Sequence, residues 1–199
     1  DVTLDKWVLQ IVQRSFALPF LEAPLPLPPS SDRITENHLS LLRHEMQALL
    51  AKGAIERVLT SEVGCDCYSR YFLVLKKGGH LCPILDLHPL NTLLKKEKFN
   101  MLILAQVLSV PDPGDWMVAL DLQNVYFHIP VLQALWSSLR FTVGQEHFQF
   151  PVLSFFLTAP LRWLQHTFGG QGSQSFPFLD DWLLKVGSPQ AVVTHLQTT

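Results

Sequence analysis

Apolar residues in this chain fall into short runs whose spacing switches between helical and strand-like. Leu39, Leu42, Met46 and Leu49 recur at intervals of three and four, which predicts a helix with Arg43, Glu45 and Gln47 on its solvent side. Asp32 or Thr35 can cap its start, and Gly53 stands where a helix would stop. Upstream, residues 7–21 are apolar enough for a short helix. Pro19, Pro24, Pro26, Pro28 and Pro29 forbid regular structure beyond it, so 19–31 is expected to be an extended connector. Downstream come strand-like runs at 54–59, 70–76 and 81–87. Lys77-Gly78-Gly79-His80 supplies a turn that makes a hairpin of the last two. A helix over 102–108 and a strand over 116–122 flank a break at Pro111, Pro113 and Gly114. A second hairpin is expected from 141–143 and 147–152 around Gly144-Gln145. A helix over 157–168 and a closing apolar segment at 176–186 complete the pattern. Short hairpins interleaved with helices predict an α+β fold, with helices on one face of a sheet.

Composition narrows this picture. Hydrophobic residues make up 48% and charged residues 16% of the 199 residues, ample for a buried core and unlike a disordered chain. The net charge of −2 gives no global basic signature for nucleic acid. Locally, however, Arg70, Lys76, Lys77, Lys95, Lys96 and Lys98 face only Asp86 and Glu97 along the same stretch. Three cysteines form no disulfide framework, no signal peptide is visible, and no apolar run approaches a membrane span. The expectation is a soluble protein of the cytoplasm or nucleus, neither secreted nor membrane-bound.

Two acidic stretches carry candidate chemistry. Asp180 and Asp181 stand side by side between apolar runs, and within a strand one of them would be driven toward a core. In a tight hairpin turn both can reach solvent or a cation, although such a pair is more often simply a solvated turn. Asp121 stands near the end of another apolar strand, and Tyr126 follows five positions later. Taken alone, Asp121 reads as a turn or cap residue. Together, three carboxylates from neighbouring strands form a set of hard oxygen ligands suited to a pair of divalent cations.

These stretches resemble motifs of reverse transcriptases. Leu120-Asp121-Leu-Gln-Asn-Val-Tyr126-Phe-His-Ile-Pro130 is similar to the family's first catalytic motif, and Phe178-Leu-Asp180-Asp181 to its aromatic-x-Asp-Asp motif. Gly53-Ala-Ile-Glu56, Pro83-Ile-Leu-Asp86-Leu-His-Pro-Leu-Asn91 and Gln149-Phe-Pro-Val-Leu-Ser-Phe-Phe-Leu-Thr-Ala159-Pro160 resemble the remaining segments, in family order. The wording Tyr68-Ser-Arg-Tyr-Phe and Gly114-Asp-Trp is similar to DIRS-like tyrosine-recombinase retrotransposons. The resemblance implies fingers and a ferredoxin-like palm without a thumb, with residues 1–31 as an extension and 32–199 as a partial reverse transcriptase domain. It implies an RNA-directed DNA polymerase acting on deoxynucleoside triphosphates and a primed RNA or DNA template. Asp121, Asp180 and Asp181 would hold two Mg²⁺ or Mn²⁺ ions. Tyr126 would be the steric gate against ribose, Lys76 or Lys77 would meet the triphosphate, and position 156 would lie beside the incoming base.

Departures from the family pattern predict weakened or lost activity. Cys82 stands in place of a triphosphate-gripping arginine, and a lost charge-assisted contact of that kind costs about 1.5–3 kcal/mol. Phe156 replaces a glycine beneath the base, Ser154 a proline, Val125 an alanine and Phe178 a tyrosine. Residues 161–177 are a short link where the family carries a longer helical segment, and the chain shows no thumb or RNase H region after Asp181. Two alternatives therefore stand beside the polymerase: a non-catalytic remnant with weak nucleic-acid binding, and a metal-dependent nuclease using the same aspartates. Cys65, Cys67, His80 and Cys82 match no common zinc spacing, and buried or idle thiols account for them better. Trp116, Tyr126, Phe127, Phe148, Phe150 and Phe155 are expected in the core rather than on a base-stacking platform.

Overall fold

The computed structural model describes residues 11, 13–29, 34–64, 66–77, 79–96, 114, 116–121, 124–154, 157, 175–178 and 181–186. These form two compact units, one drawn from Gln10–Lys96 and Tyr126–Ala159, the other from Glu97–Val125 and Pro160–Thr199. The expected helix at 102–108 lies outside the described residues, as does that at 157–168 except for Leu157, which is not helical.

The first unit begins with the connector. Residues 19–29 carry no helix or strand, as their prolines require, but single bridges tie Phe16 to Val131, Phe20 to Leu94 and Leu27 to Cys67. Residues 16–27, read from the sequence as part of an extension, are thus stitched to the unit's body. Helix α1, Glu36–Ala51, buries Leu42, Met46 and Leu49 along one stripe. Thr35 takes the N-cap position, yet its side chain makes no capping hydrogen bond, contrary to expectation. Gly53, at φ 67°, turns the chain out of the helix, and the Ala54 amide returns to the Leu49 carbonyl at 2.9 Å.

Five strands follow: β1 (Glu56–Arg57), β2 (Tyr68–Leu75), β3 (Leu81–Asp86), β5 (Arg140–Val143) and β6 (Glu146–Gln149). Their order is β1-β6-β5-β2-β3, with β2 and β5 parallel and the other pairs antiparallel. The two hairpins anticipated from Gly79 and Gly144 are β2–β3 and β5–β6. Pro83 has no amide proton to donate, and it sits on β3, an outer strand. The expected strand at 54–59 shrinks to Glu56–Arg57, while Ala54 and Ile55 are buried at 0% and 3% exposure. A short helix α2, His88–Leu93, which the hydrophobic pattern did not reveal, carries Pro89 in its first turn.

Phe141 occupies the middle of this unit's core. It is fully buried, stacks on Tyr71 at 4.9 Å and on Phe148 at 5.6 Å, and lies 5.4 Å from Phe150. A second, polar cluster crosses the sheet. Arg140, 7% exposed, pairs with Asp66, donates to the Glu62 carbonyl at 2.7 Å, and donates through Nε to Gln149 at 3.0 Å. Gln149 in turn donates to Glu56 at 2.6 Å. This chain of partners ties the loop before β2 to β5, β6 and β1, and it meets the rule that a buried charge must be paired.

The second unit holds a three-stranded antiparallel sheet in the order β4-β8-β7, with β4 at Trp116–Asp121, β7 at Ser175–Phe178 and β8 at Asp181–Val186. The single apolar segment expected at 176–186 is therefore a hairpin, with residues 179 and 180 between its strands.

Candidate metal centre and nucleotide-contacting residues

Strand pairing sets the geometry of the aspartates. Along β4–β8 the register runs from Trp116 opposite Val186 to Asp121 opposite Asp181, so the two aspartates close one end of the ladder. Asp181 is also opposite Phe178 on β7 and so lies on the central strand of the sheet. Directly opposed residues in an antiparallel pair share a face, with Cβ atoms about 4.5–5.5 Å apart. Two ionised carboxylates in such positions repel one another unless a cation lies between them. Their hard oxygen donors fit Mg²⁺ or Mn²⁺. Asp180 lies outside the described residues, and among those described no cluster of three His, Cys, Asp or Glu side chains forms a metal site.

Asn124 has a φ of 57°, a left-handed conformation that asparagine tolerates. A 3₁₀ turn, Val125–His128, follows. It carries Tyr126, which is 4% exposed and whose carbonyl accepts from the Ile129 amide at 3.1 Å.

The lysines of the basic strip belong to the first unit. Lys76 and Lys77 occupy the tip of the β2–β3 hairpin with both side chains exposed. The Lys76 amide donates to the His80 carbonyl at 2.8 Å, and Gly79, at φ 82°, donates back to Lys76 at 3.1 Å. This turn fixes the backbone and leaves two flexible ammonium groups in solvent, an arrangement suited to meeting a phosphate as a point charge. Cys82 sits on β3 opposite Val74, half-buried, with its thiol 3.8 Å from the Pro83 carbonyl. Phe156 and Phe155 lie outside the described residues. Ser154 is buried at 2% exposure, and its carbonyl accepts from Leu157 at 3.1 Å.

Two other expectations meet the structure here. Trp116, expected in the core, is 55% exposed at the start of β4, whereas Phe148 and Phe150 are buried. Cys67 is buried beside the connector, and burial pushes its thiol pKa up from 9.0, which suits an inert thiol. Sequence reasoning gave no role to Arg140 or to the Tyr68–His147 contact, where the hydroxyl meets Nδ1 at 2.9 Å. A lone arginine inside an apolar strand was the signal that could have revealed the first of these.

The chain matches no protein-family model and no curated protein. Among solved structures it is similar to the protease-reverse transcriptase of prototype foamy virus, in a selenomethionine-labelled CSH mutant. That likeness has a TM-score of 0.65 at 17% identity and covers 92% of this chain. The chain spans only 24% of the foamy virus protein's length. No helix among the described residues is long and apolar enough to cross a membrane. At this identity the likeness speaks for the architecture: the chain has a reverse-transcriptase-like α+β fold.

Proposed function

We propose that this chain is the fingers and palm of an RNA-directed DNA polymerase from a retrotransposon of the DIRS-like kind, with polymerase activity weakened by its substitutions. The observation that carries the proposal is the register of Asp121 on Asp181 within a reverse-transcriptase-like fold. Two carboxylates at one end of a ladder, with Asp180 next in the chain, supply oxygen donors where a pair of divalent cations would be held. Such a pair neutralises charge on a triphosphate and lowers the pKa of a primer 3′-hydroxyl. The chain's own residues do the rest. By the motif resemblance, Lys76 or Lys77 would meet the phosphates from its hairpin tip, and Tyr126 would exclude a ribose 2′-hydroxyl so that deoxynucleotides are selected.

Cys82 favours a second reading. On β3 it offers the triphosphate neither charge nor a forked donor, so the domain would retain nucleic-acid binding after losing synthesis. A primer-extension assay on the purified chain separates the two, using a primed RNA or DNA template, deoxynucleoside triphosphates and Mg²⁺ or Mn²⁺. Incorporation that disappears in Asp121→Asn and Asp180→Asn supports the polymerase. Template binding without incorporation supports the remnant. Cleavage without added nucleotides points to a nuclease at the same aspartates.

A further inference from the structure

The proline-rich connector plays no part in that reading, yet its backbone is among the most restricted in the chain. From residue 23 to 29 every position either is a proline or directly precedes one. The proline ring fixes φ near −65°, and a residue before proline is pushed to ψ of about +120 to +160°. Both restrictions lead to polyproline II, a left-handed helix with three residues per turn and no internal hydrogen bonds. Residues 23–29 accordingly carry neither helix nor strand.

Exposure along the segment is uneven. Pro24 is half-buried, and three positions on, Leu27 is the less exposed of the segment's two leucines, at 41% against 78% for Leu25. Leu27 is also where the segment is fastened. Its amide donates to the Asp66 carbonyl and its carbonyl accepts from the Tyr68 amide, each at 3.0 Å. Leu27 is thus held to the protein through its backbone, and Pro24 is the one half-buried residue of the segment. The ridges formed by Leu25 with Pro28 and by Pro26 with Pro29 are exposed.

Two adjacent exposed ridges of a polyproline II helix are the feature that proline-recognition domains read. Each residue–proline unit lies in a groove between aromatic rings, and the spacer stays outside. Leu25-Pro26 and Pro28-Pro29 form two such units, with the fastened Leu27 between them. We propose that Leu25–Pro29 is a docking ligand for a partner protein bearing an aromatic-lined, proline-recognising groove of the SH3, WW or EVH1 kind. Because stereochemistry and the Leu27 anchor already order the segment, binding loses little conformational entropy.

The test is titration of the full 199-residue chain, fluorescently labelled, with purified SH3, WW and EVH1 domains. Saturable binding by at least one domain is expected, weakened about tenfold or more by Pro26→Ala combined with Pro29→Ala. Pro24→Ala, at the half-buried position outside the two recognition units, should have the smaller effect. A synthetic peptide of residues 21–29 should compete with the full chain, a readout independent of how the variants fold. The proposal is overturned if none of these domains binds, if the double variant binds as tightly as the parent, or if the peptide fails to compete.

Discussion

The two sheets of this molecule are organised on opposite principles. In the five-stranded sheet the middle of the ladder is sealed: Phe141, Phe148 and Val143 are at most 1% exposed, and the buried Arg140 guanidinium is held by Asp66, Glu62 and Gln149. In the three-stranded sheet, none of the described side chains of β4 and β8 is buried, Trp116 stands out in solvent, and the ladder ends with Asp121 and Asp181 in register. Apolar burial and paired charge stabilise a fold, whereas opposed like charges work against it. A pairing that opposes stability is commonly kept where a ligand uses it. If the proposed function holds, the five-stranded sheet supplies stability and the three-stranded sheet the chemistry, and substitutions in each should behave accordingly.

The largest effect should come from the sealed side. Phe141→Ala removes a ring packed against three aromatic neighbours, two of them stacked, and opens a cavity that packed strands cannot close. A loss of about 4 kcal/mol is expected, measurable by urea denaturation. Asp66→Ala comes next. It strands the Arg140 guanidinium, whose side chain is 8% exposed, and should cost about 3 kcal/mol. Replacing both partners at once, Asp66→Leu with Arg140→Met, should recover most of that loss, since the penalty belongs to the unpaired charge rather than to the missing bond. A double variant as unstable as the single one would show that the network positions the loop for some other purpose.

Titration sharpens the comparison further. Burial, then the nearby Glu45 and Cys82, push the Tyr71 phenol above its ordinary 10.0, and burial likewise raises Tyr68 and the Cys67 thiol. All three lie in the five-stranded unit. A raised folded pKa means that the native state keeps its proton while the unfolded chain loses it. The stability these groups supply is full below pH 9.0 for the thiol and 10.0 for the phenols, and is lost as pH rises through the folded values. Chemical denaturation from pH 8 to 11 should show this alkaline decline, and Tyr71→Phe should flatten its upper part.

How much of this was legible beforehand depended on whether the cause was local. The three-and-four spacing in α1, the exit at Gly53 and both hairpins of the five-stranded sheet follow from neighbours along the chain, and sequence pattern captured them. Strand 54–59 is overestimated because alternation reports burial rather than pairing: only Glu56 and Arg57 enter the ladder with β6, with one further bond from the Val58 amide to the His147 carbonyl at 2.9 Å. Helix α2 was missed because six residues are too few for a period to register, although a proline in the first turn was a usable cue. Trp116 was misjudged because hydrophobicity describes a side chain and not its surroundings. Arg140, Asp66, Gln149 and Glu56 are scattered along the chain, and only folding joins them. The aspartates sit between these cases. Motif resemblance singled them out, but the position of Asp121 opposite Asp181 is a property of strand register.

The smallest expected change in stability is also the most discriminating, because its sign should invert. Asp181→Asn removes one of two like charges from directly opposed positions, so without divalent cations the variant should be more stable than the parent by about 0.5 kcal/mol. Adding Mg²⁺ or Mn²⁺ should raise the parent's melting temperature, as expected when a ligand binds only the folded state, and should leave the variant nearly unmoved. Phe141→Ala behaves differently: it lowers stability at every cation concentration while keeping the shift on Mg²⁺ addition. If Asp181→Asn destabilises without cations and the parent ignores Mg²⁺ and Mn²⁺, the opposed aspartates are structural, and the division of labour between the two sheets fails.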